Sequence, residues 1–116
     1  MSDRLRFMLK VFKIELEEVE NDVSSLLEYY SHRFDSRDIT QYVWMENRAL
    51  LMKEISCVKE LEADLATWKA PECDGCGEAL ESLKDHLKTL AIERGYPKLV
   101  SLVIDRIGER VSRYLD

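Results

Sequence analysis

The fold turns on residues 3–35, DRLRFMLKVFKIELEEVENDVSSLLEYYSHRFD, where Leu5, Leu9, Phe12, Leu16, Val19, Val23, Leu26 and Tyr30 recur in alternating steps of four and three. That is the repeat of one helix face, sustained with no Pro or Gly to interrupt it. Ser2 or Asp3 can cap its start, and Asp35-Ser36 predicts its end by offering a cap to a following helix. A rival reading breaks the helix near Asn21-Asp22, with Ser24-Ser25 assisting a new cap, and folds the chain back as a compact five-helix monomer. The three-four spacing runs through that point without a phase slip, which favours one long helix.

Downstream, residues 36–68 carry two adjoining stripes. One is Ile39, Val43, Leu50, Cys57, Leu61 and Trp68; the other is Trp44, Leu51, Ile55, Val58 and Leu65, and together they make a face wide enough for more than one neighbour. A third helix runs from Glu78 to Arg94 through Leu80, Leu83, Leu87 and Leu90, and Gly95 can take the left-handed conformation that ends it. Pro97 fits the first turn of a fourth, with a face of Val100, Val103, Ile104, Ile107, Val111 and Tyr114. With 116 residues, 46% hydrophobic and 34% charged, the chain reads as one domain, residues 1–116. The expected fold is all-α, an antiparallel helical bundle of two long and two short helices: a long hairpin 3–68, a Cys turn 69–77 and a short hairpin 78–115.

These lengths do not match. At about 1.5 Å per residue the long helices reach roughly 45 Å and the short ones roughly 26 Å. The short pair, starting beside the end of helix two and the start of helix one, then leaves residues 22–50 uncovered, with Val23, Leu26, Tyr30, Phe34, Ile39, Tyr42, Val43 and Trp44 facing water. A homodimer is therefore expected, its interface formed by Val23, Leu26, Tyr30, Phe34, Ile39, Val43 and Trp44, because a self-complementary patch closes an assembly. A different protein partner fits the same surface.

Charge narrows the partners further. The formal net charge is −6, distributed as +3 over residues 1–14, +2 over residues 94–116 and −11 between them. An acidic body with basic ends lacks the concentrated Lys and Arg face that nucleic acid requires. No apolar run approaches the roughly 20 residues that span a bilayer, and Arg6, Lys10, Lys13 and Glu15 interrupt the leading stretch, so neither a membrane nor a secretory signal is expected and a cytoplasmic location follows. Three Cys in that setting are expected to be reduced.

Cys73-Asp74-Gly75-Cys76-Gly77 is the one place where the sequence points to chemistry. Antiparallel packing puts this turn at the end that holds both termini, near Arg4, Arg6, Arg110 and Arg113. Residues 73–80 resemble a zinc knuckle, in which Gly after the second Cys turns backbone amides toward the sulfurs, and their place at a hairpin tip is similar to the zinc hook of coiled-coil DNA-repair ATPases. That resemblance implies zinc at Cys73 and Cys76, shared by two chains, although Asp74 stands where the hook has Pro and the flanking helices are short. Two thiols supply half of the four ligands a structural zinc needs. Cys57 and His86 lie about 14 to 17 Å from the turn by helix rise and do not complete the set. A thiol–disulfide role is the alternative, without the strand that accompanies the usual redox motif, and an incidental pair of thiols is the plainest reading.

Other catalytic constellations are poorly supported. A magnesium-dependent helical nucleotide pyrophosphatase would need paired acids on neighbouring helices. Glu15-Glu18 and Glu17-Glu20 supply one half, and Glu60, Glu62 and Asp64 or Glu78, Glu81 and Asp85 an irregular second. Di-iron spacing, a phosphate loop and a nucleophile elbow are missing from the sequence. The expected function is a non-enzymatic homodimeric interaction or adaptor module, the alternative a metal- or thiol-dependent enzyme.

Overall fold

A computed structural model describes residues 2–71 and 75–115. Four helices follow in order: α1, Asp3–Asp35; α2, Gln41–Thr67; α3, Cys76–Glu93; and α4, Lys98–Leu115. No strand occurs among the described residues, and the fold is all-α as the spacing predicts. α1 passes through Asn21-Asp22 unbroken, so the rival five-helix reading does not hold.

Its start is capped by Ser2, whose side chain accepts from the Leu5 amide at 3.1 Å. Its end was expected to cap the next helix directly, and here the structure differs. Arg37 takes a left-handed φ of 63°, its amide bonds to the Phe34 carbonyl and the Asp38 amide to the Arg33 carbonyl. This paired closure is usually made by Gly, and it turns the chain so that Thr40 rather than Ser36 caps α2. Gly95 closes α3 in the same manner at φ 68°, where glycine meets no steric cost.

Helix directions alternate. Phe34 stacks on Trp44 at the tip of the α1–α2 hairpin, while Glu62 feels Glu20 and Glu17 lower down, so α1 and α2 are antiparallel. Arg4 donates to the Leu115 carbonyl and Arg110 to Glu15 at 3.2 Å, which sets α4 antiparallel to α1. Lys88 meets Asp105 at 3.1 Å between α3 and α4. At about 1.5 Å per residue α1 is roughly 50 Å long, α2 roughly 40 Å, and α3 and α4 roughly 27 Å each. The molecule accordingly extends over 55 × 27 × 20 Å.

One placement differs from expectation. α3 starts beside the start of α1, as expected, but its other neighbour there is the end of α4 rather than the end of α2, which it barely touches. Trp68 leaves α2 in an extended conformation and Pro71 follows, so the chain travels onward before α3 begins. α1 is thus the shared spine: its first half joins α3 and α4 in a base, and its second half pairs with α2 in an arm.

The core fills the base and the overlap. Met8, Phe12 and Leu16 of α1, Leu61 of α2, Leu83 and Leu87 of α3, and Ile104, Ile107 and Val111 of α4 are fully buried, each side chain contributing about 1.5–3 kcal/mol by leaving water. Val58 and Leu65 of α2 join them. Tyr114, expected on the buried face of α4, stays 60% exposed. Gly108 is buried on the face of α4 that packs against Lys84 of α3; a Cβ there would meet Lys84 Cδ at 2.4 Å.

Candidate functional site

Beyond the core the arm comprises residues 20–35 of α1 and 41–56 of α2. None of the α1 residues there is buried, and of the α2 residues only Leu51 is. Phe34 and Trp44 shield each other, with ring centroids 5.9 Å apart and planes 17° from parallel, and both remain half-buried. No residue of α3 or α4 covers them in the core cluster. Val23, Tyr30 and Ile39 are likewise half-buried, whereas Leu26 and Val43 are exposed. The expected interface residues therefore all lie on the arm, but five of the seven are partly occupied in holding α1 to α2.

Other apolar side chains on the arm are more exposed. Tyr42 is 69% exposed, Met45 59%, Leu50 51% and Met52 48%. Tyr42, Met45, Ala49 and Met52 lie at steps of three, four and three, a stripe turned away from the Leu51 face. Val43 and Leu50 flank it seven residues apart. An arm segment apolar on its inner side, its outer side and one flank is not the pattern of a helix with a single neighbour. The methionines escaped the sequence reading because only the two stripes leading into the core were followed; their step of seven was the available signal.

Where arm meets base, Val19 and Val23 of α1, Glu54, Val58 and Leu61 of α2, and Leu99, Val100 and Val103 of α4 enclose an apolar notch of about 110 Å³. Glu54 is its only acidic wall, and burial pushes that carboxyl above its usual range. Leu99 projects at its lip, 49% exposed.

At the opposite end of the molecule, Cys76 is the first residue of α3, half-buried in a shallow recess with Arg4, Gly75, Gly77, Leu80, Ser112 and Leu115. Gly75, Cys76 and Gly77 thus lie near the start of α1 and the end of α4, with Arg4 alone of the four expected arginines lining the recess. Cys73 lies outside the described residues. Cys57 is in the core, where burial, followed by Glu60, pushes its thiol up. His86 and His32 are exposed. Among the described residues no three His, Cys, Asp or Glu side chains are grouped to hold a metal ion.

The acids weighed for magnesium are largely committed elsewhere. Glu15 is buried against Arg110, Asp64 receives both Nη groups of Arg94 at 2.6 and 3.1 Å, Glu60 accepts from Tyr96, and Glu81 pairs with Lys84 at 3.4 Å. Together the Arg94 and Tyr96 contacts clasp the α3–α4 turn to α2. Glu20 and Glu62 are different. Each has one carboxylate oxygen buried with no hydrogen-bond partner among the described residues, and desolvation, followed by Glu20 and Glu17, pushes the Glu62 carboxyl up.

Compared with models of known protein families, with curated proteins and with solved structures, the chain matches none of them. No described helix is long and apolar enough to cross a membrane.

Proposed function

We propose that this chain is a non-enzymatic helical interaction module that works as a homodimer, the arms of two copies packing against each other. The observation that supports it is the arm itself: a stretch of α2 apolar on its inner side, its outer side and one flank, beside Leu26 and Tyr29 of α1, extending beyond the root where α4 meets Val23 and Glu54. Contiguous apolar surface of this kind marks an interface rather than a solvent face. The base buries the core, although Phe7, Ile14, Ile92 and Leu102 remain exposed on it.

The test is sedimentation velocity over a range of protein concentrations. Wild type is expected to run as a dimer of the 13.6 kDa chain. Replacing Leu26→Glu and Val43→Glu together, two exposed sites whose loss removes little of the fold, is expected to give a monomer. If that variant keeps the wild-type mass, the interface lies elsewhere.

A soft-metal or thiol role at Cys73 and Cys76 is a second reading, favoured by the half-exposed position of Cys76 beside Gly75 and Gly77. Metal analysis of protein purified without chelators tests it, and protein free of zinc would end the zinc form of that reading.

A further inference from the structure

Resting on the homodimer reading, we infer the direction in which the copies meet: antiparallel, α1 on α1, with Asp22 of each chain paired to the partner's Arg33. The argument begins with one stripe of α1. Asp22, Leu26, Tyr29 and Arg33 follow at steps of four, three and four, which places them on one narrow face. The stripe is symmetric about a point between Leu27 and Glu28, with an acid at one end, a base at the other and two apolar side chains between.

Turned antiparallel on a second copy about that point, the stripe is its own complement. Asp22 meets the partner's Arg33, Leu26 meets the partner's Tyr29, and the twofold axis makes each contact twice. Turned parallel, acid would face acid and base would face base. Within one chain the two charges cannot meet, because eleven residues of helix separate them by roughly 16 Å. Both are accordingly without an ion pair among the described residues. Arg33 donates Nη1 to the Tyr29 hydroxyl at 2.8 Å and lies 5.6 Å from the ring centroid, while its Nε is buried with no partner. The guanidinium is thereby held on this stripe with donors to spare.

The base decides the same direction independently. Val19 and Val23, which wall the notch under α4, continue up α1 as Leu26; Glu54, on the facing wall, continues up α2 as Leu50 and Val43. The lower half of this hairpin face is therefore already occupied by α4. Parallel stacking of two such faces would bring two α3–α4 pairs into one volume. Antiparallel stacking puts each arm beyond the end of the partner's pair, where there is room.

Area points the same way. Two helices about 10 Å wide over the roughly 24 Å of the arm present a face of roughly 500 Å². Specific interfaces bury about 800 Å² per partner, so the arm alone falls short. In the antiparallel arrangement each tip also reaches the other copy's notch, whose 110 Å³ and exposed Leu99 extend the contact. A cavity of about 150 Å³ admits a benzene ring, so this one takes a single aliphatic side chain, and Val43 lies on the matching stripe.

Charge reversal read by sedimentation equilibrium tests the inference. Asp22→Arg and Arg33→Asp are each expected to weaken the dimer about tenfold, since each turns two attractive pairs into repulsive ones. The double variant restores both pairs and is expected within about twofold of wild type. A double variant weaker than either single one overturns the antiparallel pairing and leaves the homodimer intact. A wild-type chain that stays monomeric at all concentrations overturns both. As a second measurement, p-benzoylphenylalanine at position 43, photolysed in the dimer and digested with trypsin, is expected to mark the partner's peptide 99–106. Adducts confined to the partner's peptide 38–48 would place tip on tip and overturn the direction.

Discussion

Gly108 offers a sharp test of how the base is packed. In the middle of an exposed helix, Gly→Ala gains about 1 kcal/mol from backbone propensity alone. Here the new Cβ would stand 2.4 Å from Lys84 Cδ, 2.9 Å from Cε and 3.1 Å from Cγ, so the lysine stem must leave its place. That stem is only 18% exposed and carries the ammonium to Glu81 at 3.4 Å and toward Asp105 at 4.0 Å. Displacing a packed stem costs about 1–3 kcal/mol, and the two partly exposed ion pairs add about 0.5 kcal/mol or less each. Gly108→Ala should therefore destabilise the wild-type chain by about 1 kcal/mol. In a Lys84→Ala background the obstacle is gone, and the same substitution should stabilise by about 1 kcal/mol, a coupling of about 2 kcal/mol. Urea unfolding of the four proteins at one fixed protein concentration measures this, and equal m-values would show that the unfolded state is unchanged. If Gly108→Ala stabilises both backgrounds equally, the close approach of α4 to α3 is not what the glycine serves.

Two further predictions concern the arm and its root. Because the Glu62 carboxyl is pushed up in the folded chain, its protonated form stabilises below the ordinary carboxylate pKa, and that contribution fades as pH rises through the raised value. Glu62→Gln should accordingly raise the Tm at pH 7 and reduce the loss of Tm between pH 5 and pH 7, leaving a slope of the same sign from Glu54; a lower Tm at pH 7 in thermal scans would contradict this. Arg37→Gly relieves about 1–2 kcal/mol of left-handed strain against about 0.4–1 kcal/mol of added freedom in the unfolded chain. Calorimetry should show a net gain of about 0.5–1 kcal/mol, and no gain would mean that the Arg37 side chain makes up the difference.

The sequence showed the rods more clearly than their arrangement. Leu5 to Tyr30 announced α1 because a helix that buries one face must repeat at three and four, and Gly95 announced the end of α3 because it alone there tolerates a positive φ. The start of α2 was misplaced for the opposite reason: Arg37 holds a conformation its residue type disfavours, and no local preference signals that. Nor did periodicity reveal that α3 would start away from the end of α2, since Trp68 and Pro71 end a helix without saying how far the chain then travels. The unequal lengths did expose the arm, yet the ranking of its side chains shifted, because Phe34 and Trp44 satisfy each other while Tyr42 and Met45 have no such partner. Asp22 was read only as part of a possible break in the helix, and Arg33 was passed over, because only apolar positions were followed along that stripe.

The continuity of α1 has a mechanical consequence. A single uninterrupted rod runs from Asp3, in the base, to Asp35, at the tip. From Asp3 to the midpoint of its symmetric stripe is about 37 Å, so in the proposed antiparallel pair the two Asp3 ends would stand about 74 Å apart, with two unbroken rods between them. In such a pair whatever binds at one Cys76 recess would be spaced from its counterpart by a fixed molecular ruler, too far for the two recesses to share one ion.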